Sequence, residues 1–307
     1  MKTLLLIVGP TGVGKTELAL RVAEHLRCPI LNCDSRQVYR DIPIGTAAPT
    51  AEEQARVKHY FVATRDLDEE YNAGQYERDA LALTDTLFAS NDVLLMTGGS
   101  MLYADAVCNG LDDLPAVPDS IRREVQAQYK RNGLSWLQAE VQRLDPDYWT
   151  IVDPNNPARL AHCIEICRTT GRTYSSLRTN SRKKRPFRIV KVGLNRPRAE
   201  LYDRINRRVL QMMADGLANE AEKVYHKRNL NSLQTVGYRE LFGYLDGEYD
   251  LDRAVELIQQ NTRHYAKRQL TWFRRDTQIH WLDATDDYET NIHIIDDLLR
   301  ADSLQEE

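Results

Sequence analysis

Leu4-Leu5-Leu6-Ile7-Val8-Gly9-Pro10-Thr11-Gly12-Val13-Gly14-Lys15-Thr16 carries a short apolar run directly into a loop of the form G-x-x-x-x-G-K-[ST]. The run predicts a buried strand, and Glu17 to Leu26 predicts the helix that follows it. A loop between two such elements presents a nest of backbone N–H groups at a helix N-terminus, which binds phosphate oxygens. Glycines let the backbone wrap closely, Lys15 adds a point charge, and the Thr16 hydroxyl suits Mg²⁺. Gly9, Pro10, Thr11, Gly12, Val13, Gly14, Lys15 and Thr16 are therefore the phosphate-binding candidates, with Thr16 as the metal ligand.

A second apolar strand, Pro29-Ile30-Leu31-Asn32-Cys33, follows within one βαβ spacing and ends at Asp34. Open α/β sheets place their working groups at such strand ends, which makes Asp34-Ser35-Arg36-Gln37-Val38-Tyr39 the next segment of interest. The residue types leave its role open between a base, a Mg²⁺ ligand and a nucleoside contact. Asp34 and Ser35 acting only as caps for the following segment is the plainer alternative.

At 307 residues, with 42% hydrophobic and 28% charged residues, the chain has the composition of a soluble globular protein of one large domain or two. The net charge of −4 gives no overall support to nucleic-acid binding, so local distribution matters more. Arg182-Lys183-Lys184-Arg185 is a basic block, and Arg263, Lys267, Arg268, Arg274 and Arg275 form a second cluster. Cys163 and Cys167 can share a helix face, but no further Cys or His pair completes a zinc pattern, so the five cysteines read as reduced core residues. The N-terminal run reads as a strand rather than a leader, because the phosphate loop follows at once. No run reaches membrane-spanning length, and a cytoplasmic protein is expected.

Further along, Thr50-Ala51-Glu52-Glu53 has the form of a capping box, His59-Tyr60-Phe61-Val62 predicts a strand, and Asn72 opens a helix through Leu87. His59 is read as a packing residue. Asp92 to Thr97 predicts the clearest later strand, ending at Gly98-Gly99-Ser100-Met101-Leu102-Tyr103, either a tight turn or a close approach to a ligand. Pro115 and Pro118 mark a boundary, after which Asp119 or Ser120 caps a helix to Lys130, Leu134 to Leu144 forms another, and Asn156 or Pro157 opens a third. Phe187 to Leu194 restores β character, Arg198 to Met213 is helical with Arg204 and Arg208 on one face, and the last third reads as mostly helical. The two arginines are either solvated charge or a clamp on phosphate. The fold expected is α/β: a P-loop NTPase-like parallel sheet flanked by helices, with a mainly helical insertion and a helical C-terminal region. Its parts are residues 1–110, 111–184 and 185–307.

The phosphate loop, Asp34 to Tyr39, the Gly98-Gly99-Ser100 turn, Gln234-Thr235-Val236-Gly237-Tyr238 and Arg263 to Phe273 together resemble the bacterial tRNA dimethylallyltransferases. The loop alone is generic, whereas the ordered set is specific and spans the chain from Leu4 to about Asp276. The resemblance implies transfer of a dimethylallyl group from dimethylallyl diphosphate to N6 of adenosine 37 in tRNAs reading codons that begin with U. It implies Mg²⁺ as cofactor, the tRNA anticodon stem-loop as partner, no membrane, and a monomer. By the same resemblance Asp34 is the general base, Thr11 sits near the reacting diphosphate, and Arg204 with Arg208 falls in the arginine pattern on that diphosphate. Asp34, Ser35, Arg36 and Gln37 match the segment on the flipped base. Ser100, Arg122, Arg123, Arg159, Gln234, Arg263, Lys267 and Arg268 match positions at the tRNA.

Two departures stand out. The turn of the family reads Gly-Gly-Thr-Gly-Leu-Tyr or close to it, where this chain has Ser100 and Met101. The segment Asn156 to His162 lacks an arginine that the family often carries. Without the resemblance, a P-loop nucleoside or nucleotide kinase is the reading of choice. A non-catalytic RNA-binding module is the third.

Overall fold

The computed structural model describes residues 2–179 and 181–301. Its centre is one sheet of six strands: β1 (Thr3–Val8), β2 (Ile30–Asn32), β3 (His59–Tyr60), β4 (Val93–Thr97), β5 (Arg188–Asn195) and β6 (Ile279–Asp283). They lie in the order β3-β2-β4-β1-β5-β6, every pair parallel. All six residues of β1 are buried, as an unbroken apolar run must be when helices cover both faces of a parallel sheet. Leu5 sits opposite Leu95 of β4 and Val190 of β5, so its neighbours on either side are apolar too. Parallel pairing delivers the chain to the same edge each time. Gly9, Asp34 and Gly98 leave the sheet there side by side, at the carboxyl ends of β1, β2 and β4.

Between these strands run α1 (Lys15–Leu26), α2 (Pro43–Thr46), α3 (Ala51–Arg56), α4 (Ala73–Leu87) and α5 (Met101–Asn109). The capping box at Thr50 is present: its hydroxyl accepts from Glu53 N–H, and the Glu53 carboxylate takes Thr50 N–H. Asn72 and Gln75 make the same reciprocal pair at the start of α4.

The chain divides into two compact units, Met1–Cys108 with Arg185–Glu307, and Asn109–Lys184. The second is built of α6 (Asp119–Leu144), α7 (Pro146–Trp149), α8 (Pro157–Thr170) and α9 (Tyr174–Leu177), without a strand among its described residues. Gly133 breaks α6 with φ 73° and ψ −170°, so two helical segments meet there, as the spacing predicts. The expected cap at Asp119 or Ser120 is corrected: the extended residue is Pro118, whose fixed φ suits it, and Asp119 is already helical. Asn156 caps α8 as expected, accepting Arg159 N–H at 3.2 Å. Val125, Leu137, Val141, Leu160 and Ile164 are fully buried and form this unit's own core.

After β5 the first unit resumes with α10 (Arg198–Ala214), α11 (Leu217–Val224), α12 (Tyr238–Leu245), α13 (Leu251–Phe273) and α14 (Tyr288–Ala301). The mostly helical reading of this region passes over β6. Ile279-His280-Trp281-Leu282-Asp283 is short, interleaves polar side chains, and stands at the sheet edge, so only β5 supplies the pairing that makes it a strand. No helix among the described residues is long and apolar enough to cross a membrane.

Candidate functional site

The loop after β1 is shaped by its glycines and by its own lysine. Gly9 has φ 148°, and a Cβ there would lie 2.4 Å from the Leu194 carbonyl oxygen of β5, so no side chain fits without moving backbone. Val13 turns inward to the core while Lys15 Nζ donates to the Gly9 and Pro10 carbonyls at 2.8 and 2.9 Å. Burial, then the charge of Arg208, lowers Lys15 to about 8, with Asp34 opposing the shift. The α10 arginines both meet the loop: Arg204 Nε donates to the Gly12 carbonyl at 2.8 Å, and Arg208 Nη1 comes within 3.5 Å of Thr11 Oγ1. Arg208 is the inner of the two, and burial lowers its pKa. Arg208 thus meets the loop from a sheltered position, while Arg204 meets it from the exposed rim.

At the end of β2, Asp34 turns back on its own segment. Its Oδ1 accepts Arg36 N–H at 2.9 Å and the longer Gln37 N–H at 3.4 Å, which fixes the carboxylate and leaves Oδ2 on the other side. Ser35 N–H donates to Ser100 Oγ at 2.7 Å, and that hydroxyl donates on to Ser35 Oγ at 2.9 Å, tying the turn after β4 to the segment after β2. Gln37 Nε2 donates to the Thr46 and Ala47 carbonyls at 3.0 and 2.8 Å. That short loop is gripped from behind by buried Glu220, which accepts Ile44 and Gly45 N–H at 2.9 and 2.8 Å. Tyr39, which closes the segment after β2, lies in the core, its hydroxyl donating to the Glu69 carbonyl at 3.2 Å.

These segments open on one cavity of about 780 Å³. Thr11, Gly12, Gly14, Lys15 and Thr16 form one end, Asp34, Ser35, Arg36 and Gln37 another wall, and Arg204, Arg208, Gln234 and Arg268 complete it. Gly9, Pro10, Val13 and Ser100 stand behind this lining as supports. Arg263 and Lys267 do not line it: Arg263 donates to Asn206 Oδ1 at 2.6 Å, and Lys267 is exposed on α13. Arg122, Arg123 and Arg159 belong to the helical unit, where Arg122 faces Asp119 at 3.9 Å and Arg159 is exposed in the first turn of α8.

Among the lining residues that went unassigned in the sequence are Gln269 and Tyr265 of α13. Gln269 is fully buried, accepting Thr11 N–H at 2.8 Å and donating to the Gly99 carbonyl at 2.8 Å, which also accepts from Tyr265 at 3.1 Å. The available signal was a glutamine on the helix stripe that otherwise buries Ile258, Ala266 and Phe273.

Elsewhere the basic block comes apart. Arg185 is buried and bonds Glu77 and the Ala106 and Val107 carbonyls, while Lys183 pairs with Asp113. Asn180, beside that block, lies outside the described residues. The five cysteines are buried and none is in a disulfide. Asp145, Cys163 and Cys167 bring three ligand-type atoms together in the helical unit, but the Asp145 carboxylate already accepts from Tyr148 N–H and from both donors of Ser175. His59 orders its loop through Nδ1 against the Val57 carbonyl at 2.8 Å.

Comparison with known proteins gives concordant results. The family model for IPP transferases matches residues 37–276. A tRNA dimethylallyltransferase 1 of Bacteroides fragilis is 55% identical over 280 residues, 91% of this chain and 93% of that one. The crystal structure of a tRNA isopentenylpyrophosphate transferase from Bacillus halodurans is 34% identical, covers all of both chains and superposes with a TM-score of 0.74. A eukaryotic dimethylallyltransferase acting on tRNA shares the fold with a TM-score of 0.80 at 24% identity, over 98% of this chain and 80% of that one.

Proposed function

The chain belongs to the IPP transferase family, and from that membership we propose that it transfers a dimethylallyl group from dimethylallyl diphosphate to N6 of adenosine 37 in tRNA. The observation that carries the reading is that a phosphate loop and a carboxylate with one oxygen unengaged among the described residues face the same cavity. The cavity is large enough for a diphosphate, a five-carbon chain and one base.

In the reaction the allylic C1–O bond breaks and its electron pair leaves with diphosphate, while the N6 lone pair forms the new C1–N bond. The amine is a weak nucleophile because its lone pair is shared with the ring, and its proton must go as the bond forms. Asp34 Oδ2 takes that proton. Charge growing on the leaving diphosphate meets the loop N–H groups from Gly12 to Thr16, Lys15, Arg208 beside Thr11, and Arg204 at the rim. Mg²⁺ fits the hard oxygen donors lining this end, the Thr16 hydroxyl and the diphosphate itself, and when bound it supplies further neutralisation of the leaving group. The adenine leaves its stack to enter, which costs least in a loop, and Arg36, Gln37, Gln234 and Arg268 form the wall that receives it. We assign Arg122, Arg123 and Arg159 of the helical unit, with Arg263 and Lys267 of α13, to the phosphates of the anticodon stem-loop. A tRNA substrate supports a cytoplasmic protein.

The test incubates the protein with Mg²⁺, dimethylallyl diphosphate and unmodified tRNA carrying A36-A37, beside Asp34→Asn, and examines the digest by mass for N6-dimethylallyladenosine. Product from the wild type with a loss on the order of 10² in the variant supports both the reaction and the base. An unaffected variant removes Asp34 from its role. ATP consumption with a nucleotide acceptor, and no prenylated product, returns the kinase reading.

A further inference from the structure

We propose that Gln269 is a positioning residue for this transfer, a buried carboxamide that fixes the phosphate loop and the Asp34 carboxylate in one frame. The inference rests on the prenyl-transfer reading and adds to it the device that sets the two ends of the reaction relative to each other.

Gln269 is 0% exposed, and both ends of its amide are engaged. Thr11 N–H can only donate and the Gly99 carbonyl can only accept, so these partners fix which end of the amide is oxygen: Oε1 meets Thr11 N and Nε2 meets Gly99 O, each at 2.8 Å. Tyr265, one turn earlier on α13, puts its hydroxyl on the same Gly99 carbonyl at 3.1 Å, which doubles the grip on that turn. Between them Ala266 is buried in the core that backs the sheet, so this face of α13 does not turn.

Gly99 is what connects the bracket to the carboxylate. A Cβ on Gly99 would lie 2.9 Å from Gln269 Nε2 and 3.1 Å from Asp34 Oδ2. The amide and the proton-accepting oxygen therefore flank one bare backbone position, and any drift of Gln269 reaches Asp34 through it. At its other end the amide holds Thr11, whose Oγ1 lies within 3.5 Å of Arg208 on the leaving-group side. One side chain thus spans the acceptor of the proton and the binder of the departing diphosphate. A displacement in which the C1–N bond forms as the C1–O bond breaks needs both ends held to well under an ångström, and misplacing one by about 1 Å costs on the order of 10² in rate. The bracket also withholds Thr11 N–H from the phosphate, so the donors left for it begin one residue further along the loop.

The experiment compares Gln269→Leu and Gln269→Glu with the wild type for kcat, KM of each substrate and melting temperature, between about pH 6 and pH 8.5. Leucine removes both bonds: kcat falls by about 30-fold or more while both KM values stay within about threefold. Ionised glutamate keeps the Thr11 bond but sets two oxygens face to face at Gly99, whereas its protonated form restores the donor. Burial raises the pKa of that carboxyl, so the activity of Gln269→Glu relative to wild type climbs as pH falls. A leucine variant with kcat near wild type overturns the proposal, and so does a glutamate variant whose pH profile parallels the wild type. Failure of both variants to fold overturns it as well, because the bracket would then serve the fold rather than the reaction. A wild type that forms no dimethylallyladenosine defeats the transfer reading itself, a different outcome from an active wild type matched by its variants.

Discussion

The loop after β1 and the turn after β4 leave the same edge of the sheet and share one support in Gln269, yet they differ in how much of their shape comes from within. The loop is shaped largely from within: its three glycines take positive φ, and Lys15 closes on the Gly9 and Pro10 carbonyls six and five residues back, while Gln269 and Arg204 add single bonds from outside at Thr11 and Gly12. The turn has no such internal bonds to its working part. Gly99 is held by Gln269 and Tyr265 from 166 to 170 residues away, and Ser100 reaches across 65 residues to Ser35. A self-contained motif can be moved between folds and read from a window of eight residues. A turn supported from elsewhere works only in its own molecule.

The sharpest break of that contrast is Gly9→Ala. The new Cβ meets backbone rather than a yielding side chain, 2.4 Å from the Leu194 oxygen, and sits at φ 148°. Moving β5 or the loop costs on the order of 3 kcal/mol, and the loss of loop shape takes diphosphate binding down by about 10² or more. Calorimetric titration with dimethylallyl diphosphate and thermal melting check both. Intact binding would mean the loop is carried by its surroundings after all.

Gly99→Ala is the matching change at the supported turn, with a smaller effect. Its Cβ presses on Gln269 Nε2 and Asp34 Oδ2, both side-chain atoms that can shift. The expected result is kcat lowered by about tenfold with diphosphate affinity kept and the melting temperature nearly unchanged. Steady-state kinetics on tRNA decide it, and a loss in affinity instead would show the two elements acting as one.

How far each element was legible follows the same division. The strands β1, β2 and β4, the loop and Asp34 all announce themselves within short windows, because their determinants are local: an apolar run, spaced glycines, a carboxylate at a strand end. The capping boxes at Thr50 and Asn72 are local for the same reason. What escaped is non-local. β6 is a strand only because β5 pairs with it. Gln269 owes its meaning to two segments far off in the chain, and Arg185 looked like part of a basic surface until Glu77 took it inside. Glu220 holds the 44–47 loop under Gln37 across more than 170 residues, and nothing near it in sequence says so.

Titration separates the self-organised loop from its support in another way. Lys15, lowered to about 8 by burial first and Arg208 second, carries its charge below that pH and loses it above. Diphosphate affinity therefore falls as pH rises past about 8, by up to about tenfold per unit. Stability runs the other way. The folded value lies below the ordinary 10.5, so the cost of a buried charge is present below about 8 and is relieved as pH climbs toward 10.5. Binding isotherms and melting curves across that window, with Lys15→Met as the control lacking the group, should diverge; parallel trends would remove Lys15 as the cause.

The smallest expected effect tests what the supported turn is for. Ser100 is matched by the resemblance to a tRNA contact, yet the residue is only 9% exposed and its hydroxyl already accepts Ser35 N–H while donating to Ser35 Oγ. Ser100→Ala strands a donor beside Asp34, at a cost of about 1 kcal/mol, whereas Ser100→Thr keeps the hydroxyl and with it the bond. If the hydroxyl steadies the segment after β2, the alanine variant loses several-fold in kcat with KM for tRNA unchanged, and threonine restores it. If the hydroxyl meets RNA, the change falls on KM for tRNA and leaves single-turnover chemistry intact. The second result would redraw the contrast, since the turn would then be a contact surface in its own right, and its long-range bonds would serve to present it rather than to hold the carboxylate still.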